Sequence, residues 1–121
     1  MRSENEILHL SFQFAVRIVK LSCYLKEEKK EYILSDQILR SGTSIGANVT
    51  ESQDAQSRKD FISKLSIALK EAKETRYWLT LLMETDYLPR THKRVLSIQT
   101  ELDSIIALLT AILKSTKSIE S

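Results

Sequence analysis

LRSGTSIGANVTES, Leu39 to Ser52, is the stretch on which the fold turns. It holds both glycines of the chain, Gly42 and Gly46. It is crowded with Ser, Thr and Asn, the residues of turns and helix caps. Three readings compete: a loop that cradles a phosphate, a linker, or a helix made of small residues. Advancing 100° per residue from Ile38 separates them. Leu34, Ile38, Gly42, Ile45, Val49 and Ser52 all fall within about 40° of one line. A loop does not hold a register for five turns, so the stretch predicts a helix from Ser35 to about Asp54. Each glycine costs roughly 1 kcal/mol there relative to alanine. That cost is offset if a neighbouring helix must approach closely, as the G-x-x-x-G spacing permits. Gly46 is not followed by the Lys-Ser/Thr of a phosphate-binding loop, and the dinucleotide pattern G-x-G-x-x-G is missing.

Three further segments carry helical periodicity. The first opens with Ser3 and Glu6 at capping-box spacing. Ile7, Leu10, Phe14, Ile18, Leu21 and Leu25 then form its stripe, and the charge run Lys26–Glu31 ends it as a solvated helix terminus. The third opens with Ser57 and Asp60 at the same spacing, and its stripe is Phe61, Leu65, Ala68, Leu69, Ala72, Leu79 and Met83. It stops near Pro89, which can start the next helix. The fourth carries Val95, Ile98, Leu102, Ile105, Ile106, Leu109 and Leu113, followed by a polar tail expected to fray. Helices over about 4–29, 35–54, 58–86 and 91–115, joined by short connections, predict an all-α, antiparallel up-down-up-down four-helix bundle in one domain.

The totals agree. A chain of 121 residues supports one core. Two glycines and one proline are too few for the turns of an all-β fold. Charged residues make up 28% with a net charge of +2, so any basic surface must be local. Cys23 is alone and cannot form an intrachain disulfide. The acidic N-terminal stretch does not resemble a signal peptide, and no apolar segment is expected to reach membrane-spanning length. The expectation is a cytoplasmic protein with no membrane partner.

Chemistry is hard to find. Glu6 and His9 have the E-x-x-H spacing of di-iron bundles, but a second such pair is missing. Cys23 and His9 lie about 21 Å apart on one helix and cannot form a nucleophile pair. No catalytic residues, metal site, cofactor or small-molecule substrate are expected. Arg76 falls on the core line of the third helix between Ala72 and Leu79, where a charge needs a partner. Asn48 and Glu51 lie on the flank of the second helix, so Arg76 or Lys70 with Glu51 or Glu74 suggests a polar seam: Asn48, Glu51, Glu74 and Arg76.

Two helices are apolar over more than one face. The first has a second stripe that includes Phe12, Val16 and Val19, and the third has Ile67, Trp78, Leu81 and Leu82. Either the core face is broad, or Phe12, Val16, Val19, Trp78 and Leu82 pack on another subunit; the second reading is preferred because an exposed patch of this kind invites association. Topology also brings Lys26, Lys29 and Lys30 near Arg90, Lys93 and Arg94, with Arg40 one or two turns below. Interspersed acidic residues make this a mixed solvated surface on one subunit, but a ring would repeat it, and phosphate contacts add along a polyanion.

The stretch ILRSGTSIGANVTESQDAQSRKDFISKLSIALKEAKETRYWLTLL, Ile38 to Leu82, resembles the four-helix bundle proteins encoded in bacterial 23S rRNA intervening sequences. The match is strongest over Ser41–Ser52 and Lys70–Leu79. The fold is also similar to that of the accessory variability protein of diversity-generating retroelements. The resemblance implies an antiparallel bundle that assembles as a barrel-shaped homopentamer, with no settled biochemical function. The retroelement relative binds nucleic acid and a reverse transcriptase through a positively charged barrel. By that analogy Arg40, Lys93 and Arg94 would contact phosphate, and the protein would be a non-catalytic oligomer binding RNA or a ribonucleoprotein. The alternative is a structural protein–protein interaction module that assembles through helix faces without nucleic acid.

Overall fold

The structure, a computed structural model, describes residues 2–120. It consists of α1 (Arg2–Glu27), α2 (Ile33–Ser52), α3 (Arg58–Glu84) and α4 (Lys93–Glu120). Their backbones approach around a closed cycle, α1–α2–α3–α4–α1, and neither diagonal pair meets. Contacting pairs step down α1 as they step up α2: Ser22 with Ser35, Ile18 with Gly42, Ser11 with Gly46. The α2–α3 pairs, Arg40 with Glu71 and Glu51 with Lys64, run in the same opposed sense. The result is a four-helix bundle.

Local chemistry sets the helix ends. Ser57 is the N-cap of α3 and accepts from the Asp60 N–H at 3.0 Å, as the spacing predicts. The start of α2 is capped by Glu31, the last residue of the charge run. Its carboxylate accepts from the N–H groups of Ile33 (3.3 Å) and Ser35 (2.7 Å). His92 caps α4, its Nδ1 accepting from the Arg94 N–H at 3.1 Å. Asp86, at φ 63°, closes α3: Tyr87 N–H bonds to Leu82 O and Asp86 N–H to Met83 O. That is a Schellman pattern with Asp at the left-handed position where glycine is usual.

Three expectations about the helices need correction. Ser3 is not a cap, because α1 is already helical at Arg2. The α4 helix, expected to end near 115, continues to Glu120. Finally, α4 is long and apolar enough to cross a membrane by length and composition. Its side chains Val95, Ile98, Leu102, Ile105, Leu109 and Leu113 are nevertheless buried in the bundle, which is the pattern of a core helix.

The core is built from most of the four predicted stripes, with Leu82 added from what the sequence suggests is a second face of α3. Ile7, Phe14, Ile18, Leu21 and Leu25 meet Ile38, Ile45 and Val49, then Leu65, Ala68, Ala72, Leu79 and Leu82, then the α4 row. Both glycines of α2 face α1. A Cβ on Gly42 would lie 2.7 Å from Ile18 Cγ2, and one on Gly46 would lie 3.2 Å from the Ser11 carbonyl oxygen. The small residues of α2 therefore permit a close α1–α2 approach. The α1–α4 seam, built from longer side chains, is looser and leaves a groove.

Candidate nucleic-acid interface

Of the three cations expected to face phosphate, the structure brings two together. Lys93 and Arg94 sit exposed in the first turn of α4. Arg40 does not join them. It lies on α2, whose backbone does not approach that of α4, and it is held by Glu71 at 3.3 Å and by Glu74 on α3. Two of the neighbours expected near Lys93 are also occupied: Lys26 pairs with Asp36 at 2.6 Å and Arg90 with Glu84.

Two basic residues that sequence reasoning missed complete the site. Arg17 and Lys20, on α1, line the α1–α4 groove together with Leu21, Tyr24, Leu88, Pro89, His92, Arg94, Val95 and Ile98. The groove holds about 470 Å³ and no acidic side chain lines it. Arg17 is pinned across the seam. Its Nη1 donates to Ser97 Oγ at 2.9 Å and to Glu101, and its Nη2 donates to the Arg94 carbonyl at 3.3 Å. Among the described residues neither Lys20 nor Arg94 forms an ion pair. The groove is thus an apolar floor with a cationic rim whose charge is only partly neutralised by Glu101. The signal for Arg17 was present in its position between the two apolar stripes of the first helix, but only the pairing of α1 with α4 places it opposite Arg94.

The polar seam also differs from expectation. Arg76 is exposed and pairs with Asp103 on α4 at 3.6 Å. Thr75, not Arg76, is the one buried in the core: its Oγ1 lies 2.9 Å from Ser41 Oγ and 2.7 Å from Glu71 O. Asn48 donates to Ser44 O within its own helix at 2.8 Å, and the exposed Glu51 pairs with Lys64 at 3.1 Å. Glu74 accepts from Trp78 Nε1 at 3.0 Å and from Arg40. The buried seam is made of hydroxyls, Ser41–Thr75 and Ser22 to the Ser35 carbonyl at 3.3 Å, because a hydroxyl can be satisfied between close helices while a guanidinium cannot be dehydrated there.

The apolar second faces divide. Leu82 is fully buried in the core and is no candidate for an outer interface. Trp78 is half-buried, edge-on to Tyr77 at 5.0 Å. Phe12 (64% exposed), Val16 and Val19 (46%) do project outward on α1. Cys23, also exposed, extends that stripe by one more turn.

A bundle of four helices with a small-residue second helix and a basic seam defines the class: an all-α helical bundle protein. The family described as 23S rRNA-intervening sequence protein matches residues 3–111, and the chain belongs to that family. A crystal structure of a protein of unknown function from the S23 ribosomal protein family of Bacteroides thetaiotaomicron VPI-5482 is 53% identical. It aligns over 93% of this chain and 98% of that one, with a TM-score of 0.89. No curated protein matches the chain.

Proposed function

We propose that the protein is a non-catalytic, cytoplasmic oligomer that binds RNA or a ribonucleoprotein through the basic end of the α1–α4 seam. One observation carries this reading: Lys20, Lys93 and Arg94 stand exposed beside a groove lined by no acidic side chain. Two or three cations per subunit make weak contact with a polyanion, and repetition in an assembly multiplies them. RNA affinity should therefore fall steeply with salt. The double variant Lys93→Glu/Arg94→Glu should weaken binding at every salt concentration. It should also reduce the slope of log K against log salt by about 0.7 for each single-strand phosphate that is no longer neutralised. A filter or fluorescence titration across salt concentrations reads both, and no binding by the wild type at low salt ends the proposal.

A second reading rests on the exposed Phe12–Val16–Val19 stripe: an interaction module that assembles through α1. A homopentamer, as the family resemblance implies, would cover this stripe. Phe12→Glu puts a charge on the most exposed large side chain of the stripe. It should lower the native mass in solution while leaving the helical signal unchanged and the stability of the isolated subunit within about 0.5 kcal/mol of wild type. A wild-type protein already monomeric at high concentration would refute the assembly reading.

A further inference from the structure

We infer that the α1–α4 groove takes one unstacked base of single-stranded RNA, with the adjoining phosphates on Lys20 and Arg94; this rests on the RNA-binding reading above and specifies its site. The geometry has the two halves such a ligand needs. The floor is apolar, formed by Leu21, Pro89 and Val95, and Tyr24 offers a ring, 39% exposed, at its edge. The rim is cationic: Arg94 and Lys20 lack ion-pair partners among the described residues. Arg17 is fixed across the seam by Ser97, Glu101 and the Arg94 carbonyl, so it shapes the mouth and leaves most of the phosphate binding to its neighbours.

The size and the charge choose between ligands. A volume of about 470 Å³ lies in the range of small-molecule sites, which suits a single ring system. An amphipathic partner helix needs a longer trough for anchors on successive turns. The absence of acidic lining argues for an anion, and an aromatic side chain beside cations is the arrangement by which proteins hold unpaired bases. A base paired in a duplex is stacked on both faces and cannot enter such a groove, so the site discriminates single from double strands by shape.

The test uses the full-length protein with a fluorescein-labelled oligouridylate and with a blunt RNA duplex of equal length. Tyr24→Ala should weaken oligouridylate binding roughly tenfold, the effect of removing one stacked base. The salt slope should not change, because every phosphate-binding cation remains. Tyr24→Phe should retain wild-type affinity, and duplex binding should be insensitive to either change. If Tyr24→Ala leaves single-strand affinity intact while Lys93→Glu/Arg94→Glu weakens single strand and duplex alike, the groove inference is overturned and the basic-surface reading survives. If a poly-glutamate peptide displaces the oligouridylate and shows the same dependence on Tyr24, the groove is an acidic-peptide site and the inference fails. If the wild type binds neither RNA at low salt, both fail together. Melting curves of the two Tyr24 variants should overlay the wild type, which distinguishes a missing stacking partner from an unfolded bundle.

Discussion

Phe14→Ala should reduce the free energy of unfolding by about 3–5 kcal/mol, the range for emptying a buried aromatic site. Phe14 is 0% exposed and sits among the central residues of the α1 row, between Ile7 and Ile18 on the face that meets α2 and α4. Neighbours enclose it on all sides, so the cavity left by alanine can be filled only by moving a helix. For a domain whose total stability is on the order of 5–15 kcal/mol, this is a large fraction. Denaturant titration of a matched pair makes the comparison clean. Phe12, two residues earlier, is 64% exposed, and Phe12→Ala should change the stability of the single chain by less than about 0.5 kcal/mol. Equal losses for the two variants would mean that α1 is rotated relative to the arrangement described.

Gly42→Leu should cost at least about 3 kcal/mol, the upper part of the range for overpacking a close-packed interior. The Cβ alone would stand 2.7 Å from Ile18 Cγ2, and Ile18 is fully buried and branched at Cβ, so it has few ways to yield. A leucine adds three more carbons to that clash. It gains about 1 kcal/mol of helix propensity over glycine, which does not offset the wedge driven between α1 and α2. A second-site change should relieve the clash. Ile18→Ala alone should cost about 2–5 kcal/mol. Combined with Gly42→Leu it should cost less than the sum, with a coupling of about 0.5–3 kcal/mol, because the two sites share one space. Gly46 provides the contrast. An added Cβ there meets the backbone carbonyl of Ser11 at 3.2 Å, so shortening the Ser11 side chain should rescue nothing. Additive losses for Gly42 and Ile18, measured by denaturant unfolding, would show that the two helices do not touch at this level.

The cations of the basic groove contribute little to stability, since exposed charges rarely do, yet they occupy the most open seam of the bundle. The α2 seams close tightly around Gly42, Gly46, Ser41 and Thr75, whereas α4 approaches α1 with Val95 and Ile98. Both glycines of the bundle face the α1–α2 contact, and the α1–α4 side is left with an open groove.

By itself the sequence determined the four helices, the stripe each buries and the reason for glycine in the second helix. These follow from periods and spacings along one segment, which local geometry converts directly into a face. The Ser57 cap and the outward course of Phe12, Val16 and Val19 are legible for the same cause. The tertiary structure decided whatever depends on which faces meet and how closely. Thr75 and Arg76 both lie near the axis of the third helix's apolar face, and 100° periodicity does not choose between them; packing against Ser41 buries Thr75 and leaves Arg76 to Asp103. Leu82 reads as part of a second face but closes the core. Arg40 reads as a free cation until α3 supplies Glu71 and Glu74. Arg17, Lys20 and Tyr24 line one groove with Arg94 only because α1 and α4 are neighbours in the cycle. A charge's partner and a groove's walls come from segments far apart in the chain, and that proximity is written in the packing of the bundle rather than in the period of any one helix.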